Sequence, residues 1–170
     1  MILNKNIVLI GMMGSGKSTI GYLLSKTIDA KFEDIDKIIE IETGYKISDI
    51  FKKKGEIYFR NLEEKITLKI LKNSKNVVAL GGGGFLNKNI RNEILNNHFS
   101  AWLYWNDLTI IERILKSKKR PIAFNSNEED LKKLIAERSN IYSKANFKIN
   151  CEKLTKNMIV KKIAELYEKN

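Results

Sequence analysis

The residues best suited to chemistry in this chain begin at Gly11 and read GMMGSGKST as far as Thr19. Gly11, Gly14 and Gly16 let the backbone turn its N–H groups inward, and the positive end of a following helix completes an anion nest. Lys17 adds an ammonium group at the same point, and the hydroxyl of Ser18 follows it. That set suits a polyphosphate, with Lys17 reaching the β- and γ-phosphates and Ser18 able to ligate Mg2+. The spacing G-x-x-x-x-G-K-[ST] becomes specific only between a strand and a helix. Both flanks are present: residues 7–10 are an unbroken apolar run, and Ile20, Leu23, Leu24 and Ile28 recur at helical spacing. Gly14, Ser15, Gly16, Lys17, Ser18 and Thr19 are therefore expected to bind a nucleoside triphosphate. The alternative is an ordinary Gly-rich turn.

Three further groups could act on a second substrate. Asp34 and Asp36 follow a short apolar-polar run at 31–33, which places them at the carboxyl edge of a parallel sheet, where ligands of open α/β folds bind. One could serve a metal and the other accept a proton from a substrate hydroxyl. Equally, Asp36 could cap a helix carrying Ile38, Ile39 and Ile41. The chain has five arginines against 26 lysines, so Arg is reserved for places where a planar, bidentate fork is wanted. Arg60 lies in the first turns of a helix, the wrong end for a cation, so it faces either an anion or a local carboxylate such as Glu63 or Glu64. Gly81–Gly84 ends a buried-type strand at 76–80, and a run without side chains lets a ligand approach backbone N–H groups, unless it is only a flexible turn.

The elements that must position these groups alternate along the chain. Strands are expected at 7–10, 31–33, 76–80, 101–105 and 147–149. Helices are expected after the glycine loop, from about 36, at 56–71 after a Gly55 C-cap, at 87–96, 108–115, 130–142, and behind a Thr155 cap. Ser48 reads as a cap for a short helix before Gly55, and His98 as a surface or packing residue. Between two helices, the stretch around Lys116–Arg120, Pro121 and 125–129 is basic and polar, and reads as a lid over phosphates or a solvated loop. This alternation makes a three-layer α/β/α sandwich on a five-stranded parallel sheet, folded as one domain over residues 1–170.

Composition narrows the function. One Cys excludes a disulfide framework and fits a reducing cytoplasm, and one His with one Cys cannot build a zinc site. No apolar run has membrane-spanning length, and the N-terminal residues have no signal-peptide layout, so neither a membrane nor export is expected. The net charge of +11 allows nucleic acid or anionic metabolites as partners. Lysines spread over most helices, without interleaved aromatics, favour metabolites over nucleic acid.

Taken together, the loop GMMGSGKST, the acidic pair in FEDID, IFKKKGEIYFRNLE, the run GGGG, the dipeptide RP and the later RSNIY resemble the shikimate kinase family over nearly the whole chain. The resemblance implies a nucleoside-monophosphate-kinase-like sheet of order 2-3-1-4-5, a substrate-binding subdomain over about 35–62 and a lid over about 114–126. It implies Mg2+ and ATP, a monomer, and transfer of the γ-phosphoryl group to the 3-hydroxyl of shikimate. By the same resemblance Asp34 helps hold Mg2+, while Asp36 bonds the substrate hydroxyls and serves as base. Arg60 and Arg138 grip the carboxylate beside a cradle of Gly81, Gly82 and Gly83. Arg120 neutralises the transferring phosphate from the lid, and Arg113 stacks near adenine. Three positions depart from the family pattern: Ile122-Ala123 stands in place of two leucines, Phe85 in place of a small residue, and Asn146 in place of Asp. The rivals are another small-acid kinase, such as a gluconate kinase, and a P-loop module without metabolite turnover.

Overall fold

In the computed structural model, which describes residues 5–116 and 127–170, the first strand shows how the layers form. Strand β1 (Ile7–Ile10) is buried at every position, and its side chains alternate between two cores. Ile7 and Leu9 face α1 (Lys17–Thr27) and α7 (Lys156–Glu168), packing with Ile20, Leu24, Ile159 and Ile163. Val8 and Ile10 face the opposite layer, with Ile35, Phe59, Ile66, Ile90, Ile110 and Leu131. Burial on both faces is why this strand reads as a continuous apolar run rather than an alternating one.

The remaining strands are β2 (Lys31–Asp34), β3 (Asn76–Ala79), β4 (Phe99–Tyr104) and β5 (Phe147–Asn150). All pair in parallel, in the order β2-β3-β1-β4-β5, as the resemblance implied. The other helices are α2 (Ile35–Thr43), α3 (Ile47–Leu71), α4 (Lys88–Asn97), α5 (Asp107–Lys116) and α6 (Glu128–Tyr142). A short 3-10 turn, Gly84–Leu86, precedes α4. Among the described residues no helix is long and apolar enough to cross a membrane.

Local caps explain most boundaries. Thr155 accepts from Met158 N at the start of α7, as its sequence position predicts, and Asn87 and Asn127 cap α4 and α6. Two expectations about caps are corrected. Asp34 caps α2, accepting from Lys37 N out of an extended backbone, whereas Asp36 already lies inside the first turn and is past the capping position. Ser48 is not a cap either: α3 begins at Ile47, whose N–H is taken by Glu40 Oε1 at 3.0 Å. Gly55 breaks α3 with φ 81° and ψ 171°, so a short helix and a longer one meet at that glycine, as its C-cap reading anticipated.

Two departures from the family pattern fall in structural positions. Phe85 is fully buried in the core behind the glycine run. Asn146 Oδ1 accepts from both the N–H and the hydroxyl of Ser100, joining the start of β5 to β4. That bond needs only an acceptor oxygen, which Asn supplies as well as Asp. Ile122 and Ala123 lie outside the described residues. His98 is a packing residue, held below its usual value chiefly by burial. Burial also pushes the Cys151 thiol up to about 12, so it is a core group and not a nucleophile.

Candidate functional site

The strand order gathers the chemistry. Because β3 lies between β2 and β1, the acidic pair after β2, the glycine run after β3 and the phosphate loop after β1 emerge side by side at one edge of the sheet.

In the phosphate loop Gly11, Gly14 and Gly16 have φ of 147°, 80° and 91°, values that L side chains rarely adopt. Helix α1 starts directly after Gly16 with no side-chain cap, unlike α2, α4, α6 and α7. Its first N–H groups therefore face the loop, the arrangement that receives an anion. Lys17 is buried, and its Nζ donates to the carbonyls of Gly11 at 2.8 Å and Met12 at 2.9 Å, which keeps the ammonium over the loop. The hydroxyl of Ser15 is buried with no hydrogen-bond partner among the described residues. Ser18 and Thr19 follow on the exposed side of the helix start.

None of Gly81–Gly84 has a positive φ, and Gly81 and Gly83 are required by space instead. A methyl at Gly81 would strike Glu63 Oε1 and lie 2.7 Å from Asp36 Oδ1. At Gly82 it would lie 3.4 Å from Arg138 Nη1 and from Met13 N of the phosphate loop. At Gly83 it would overlap the guanidinium of Arg60. Gly81 and Gly83 thus admit Glu63, Asp36 and Arg60 to one short stretch of backbone, and Arg138 makes an ordinary contact at Gly82 between them.

Arg60 takes the local-carboxylate alternative. It pairs with Glu63 at 2.7 Å and with exposed Glu56 at 3.1 Å, and its head lies against Gly83. Glu64 is not a partner of Arg60; its carboxylate accepts from Asn87 at 2.6 Å and Asn89 at 2.7 Å and ties α3 to the start of α4. Burial removes hydration from Arg60, but Glu63 and Glu56 outweigh it and hold the guanidinium above its usual value. For Glu63 the balance reverses. Its deeper burial pushes the carboxyl up, and the attraction of Arg60 only partly offsets this. Arg60 stays charged in any case, so the protonation of the pair turns on Glu63.

Arg138 is 5% exposed, donates to the carbonyl of Gly82 at 3.4 Å and leaves its Nε without a partner among the described residues. A buried, incompletely bonded cation is costly unless an anion completes it. Tyr142, one turn later on α6, donates its hydroxyl to the same Gly82 carbonyl, and burial pushes the phenol up to about 12. Tyr142 and Glu63 lie within the motifs RSNIY and IFKKKGEIYFRNLE but are not among the expected site residues. Glu63 was visible as a neighbour of Arg60 three positions away, while nothing in the sequence around Tyr142 marks its contact with Gly82.

At the other end of the loop, Arg113 on α5 lies 3.7 Å over the indole of Trp105 and donates to Gly14 O at 3.4 Å. The structure thus brings together Lys17, Asp36, Arg60, Gly81, Gly82, Gly83 and Arg138, with Arg113 on the far flank of the loop. Arg120 and residues 117–126 of the expected lid lie outside the described residues.

The chain is similar to known proteins in sequence and fold. A family model described as shikimate kinase matches residues 13–168. The shikimate kinase of Sulfurihydrogenibium sp. (strain YO3AOP1) is 43% identical over 159 residues, which span 94% of this chain and 95% of the relative. The solved structure of a shikimate kinase from Acinetobacter baumannii in complex with shikimate is 30% identical with a TM-score of 0.92, covering 98% of this chain and 94% of that one. A gluconokinase from Sinorhizobium meliloti 1021, at 16% identity and a TM-score of 0.56 over 98% of this chain and 95% of that one, shares the fold alone.

Proposed function

The chain belongs to the shikimate kinase family of ATP-dependent kinases, and we propose that it moves the γ-phosphoryl group of ATP to the 3-hydroxyl of shikimate, giving shikimate 3-phosphate and ADP. The observation that carries this reading is the placement of Arg60 against Gly83, Arg138 against Gly82 and Asp36 against Gly81, on the strand edge that also bears the phosphate loop. Two guanidinium groups next to a half-buried carboxylate suit a substrate that is itself an acid and carries hydroxyls.

In this reading the loop residues Gly14, Ser15, Gly16, Lys17, Ser18 and Thr19 hold the triphosphate, with Lys17 moving from its loop carbonyls onto the β- and γ-oxygens. Arg113 stacks against the base. Arg60 and Arg138 clamp the carboxylate of shikimate over Gly81, Gly82 and Gly83, and residues 35–62 form the substrate-binding subdomain. The clamp turns the hydroxyl toward the phosphate, and Asp36 orients it and takes its proton as the bond to phosphorus forms. Glu63 fixes the head of Arg60 through its 2.7 Å bond. Arg120, by its place in the Arg-Pro motif, neutralises the transferring group from the 114–126 lid. One chain supplies every residue named, so the reaction needs no second copy.

Mg2+ fits the donors present. Ser18 and Asp34 offer hard oxygens, and only Oδ1 of Asp34 is engaged by the cap. Among the described residues no three His, Cys, Asp or Glu side chains form an all-protein metal cage. Such a site suits an ion that is bound largely by phosphate and water. Bound there, Mg2+ would neutralise charge on the phosphate oxygens.

The test is ADP release from Mg·ATP with shikimate, quinate, gluconate and nucleoside monophosphates at matched concentrations. Turnover with shikimate far above the others is expected. ATP binding without turnover on any of them would overturn the reading.

A further inference from the structure

Trp105 touches both halves of the nucleotide end. It follows β4, is half-buried, and packs against the cores on both faces of the sheet, so its ring is fixed. One face of the indole carries the Arg113 guanidinium at 3.7 Å. Its Nε1–H donates to the carbonyl of Ser15 at 3.0 Å, inside the phosphate loop. In a trans peptide the C=O and the next N–H point in opposite directions. Drawing the Ser15 carbonyl toward Trp105 therefore turns the Gly16 N–H the other way.

We infer that Trp105 is a positioning residue for the nucleotide, backing the Arg113 platform with its ring and aiming the Gly16 N–H at phosphate with its Nε1–H. A guanidinium is planar. With one face on the indole, its opposite face is the one on which a base stacks, and the cation–π contact keeps the side chain from sampling other rotamers. This rests on the reading above that Arg113 meets the base. The two roles belong to different atoms of one side chain, and different ligands separate them. Inorganic tripolyphosphate uses only the loop, whereas ADP uses the loop and the platform.

The experiment measures dissociation constants of ADP and of tripolyphosphate for the wild type, Trp105→Phe, Trp105→Leu and Arg113→Ala, alongside the KM for shikimate. Trp105→Phe keeps a ring and loses the donor, so both ligands should weaken by the same few-fold factor. Trp105→Leu should weaken ADP about tenfold beyond its effect on tripolyphosphate, with the shikimate KM unmoved. If Trp105→Leu alters ADP no more than tripolyphosphate, or if Trp105→Phe leaves tripolyphosphate unchanged, the assignment is overturned. Arg113→Ala tests the underlying reading separately, because an unchanged ratio of ADP to tripolyphosphate affinity there removes the base platform itself. The chain has two tryptophans, so Trp102→Phe leaves Trp105 as the sole tryptophan emitter even if the leucine variant does not fold. Saturating ADP should change that emission, and an unchanged spectrum also overturns the assignment.

Discussion

The two ends of this site are built from different materials. The nucleotide end is a backbone device: nine successive residues, Gly11 to Thr19, with three glycines at positive φ and a helix start without a side-chain cap. The end proposed to bind the acid is a side-chain device, assembled from α2, α3 and α6 over the glycines that follow β3, of which Gly81 and Gly83 make room. Backbone N–H groups recognise phosphate through a shape that one short segment can encode. A carboxylic acid bearing hydroxyls needs charges at several angles, and those must come from separate elements. The first end should therefore fail through loss of one charge or one turn, and the second through loss of mutual placement.

Lys17→Ala probes that contrast most severely. Removing the charge that meets the transferring group should lower kcat by about 1,000-fold, with the shikimate KM nearly constant. Steady-state kinetics varying each substrate in turn will show it, and a rise confined to the shikimate KM would erase the distinction between the ends. Asp36→Asn keeps the size but not the basicity, so kcat should fall by about 100-fold. A loss seen only in KM would leave Asp36 as a binding group.

Arg60→Lys keeps the charge and loses the fork, so the KM for shikimate should rise about tenfold while kcat holds. Unchanged KM would remove Arg60 from the clamp. Gly83→Ala should copy that signature somewhat more weakly, because its methyl displaces the same guanidinium without touching its charge. If Gly83→Ala instead raised the KM for ATP, the two ends would not be separable.

The smallest effect concerns stability. Burial raises the Glu63 carboxyl above 4.5, so between 4.5 and that raised value the folded chain holds a proton the unfolded chain has released. Stability from this group is fully present below 4.5 and is lost as pH rises through the folded value. Thermal melts from pH 4 to 7 should show Glu63→Gln with a flatter dependence than the wild type. Equal slopes would mean that Glu63 is ionised throughout.

How legible each end was follows from the same contrast. The loop, its flanking strand and helix, and the α/β alternation were readable because each depends on neighbours within a few residues. Asp34 and Asp36 were readable as an acidic pair, but their division of labour was not. The sequence offered Asp36 as the cap, and only the backbone angles gave the cap to Asp34 and put Asp36 beside Gly81. Glu63 and Glu64 are adjacent and identical in type, yet one faces Arg60 in the interior and the other binds Asn87 and Asn89. Helical rotation of about 100° per residue separates them, and which side is inward depends on what packs there.

Apart from the charged residues of a small-acid kinase, which its family resemblance implied, the sequence by itself determined that this chain has a glycine loop suited to phosphate on a parallel α/β sheet. Short-range backbone geometry and periodicity carry that information. Tertiary structure alone decided that Gly81 admits Glu63 and Asp36 while Gly83 admits Arg60, that Tyr142 and Arg138 share the Gly82 carbonyl, and that Trp105 joins Arg113 to Ser15. Most of those contacts link positions far apart in the chain, and no local pattern specifies them. They exist because the strand order β2-β3-β1-β4 brings the loop ends together and the packed cores on either side hold them there.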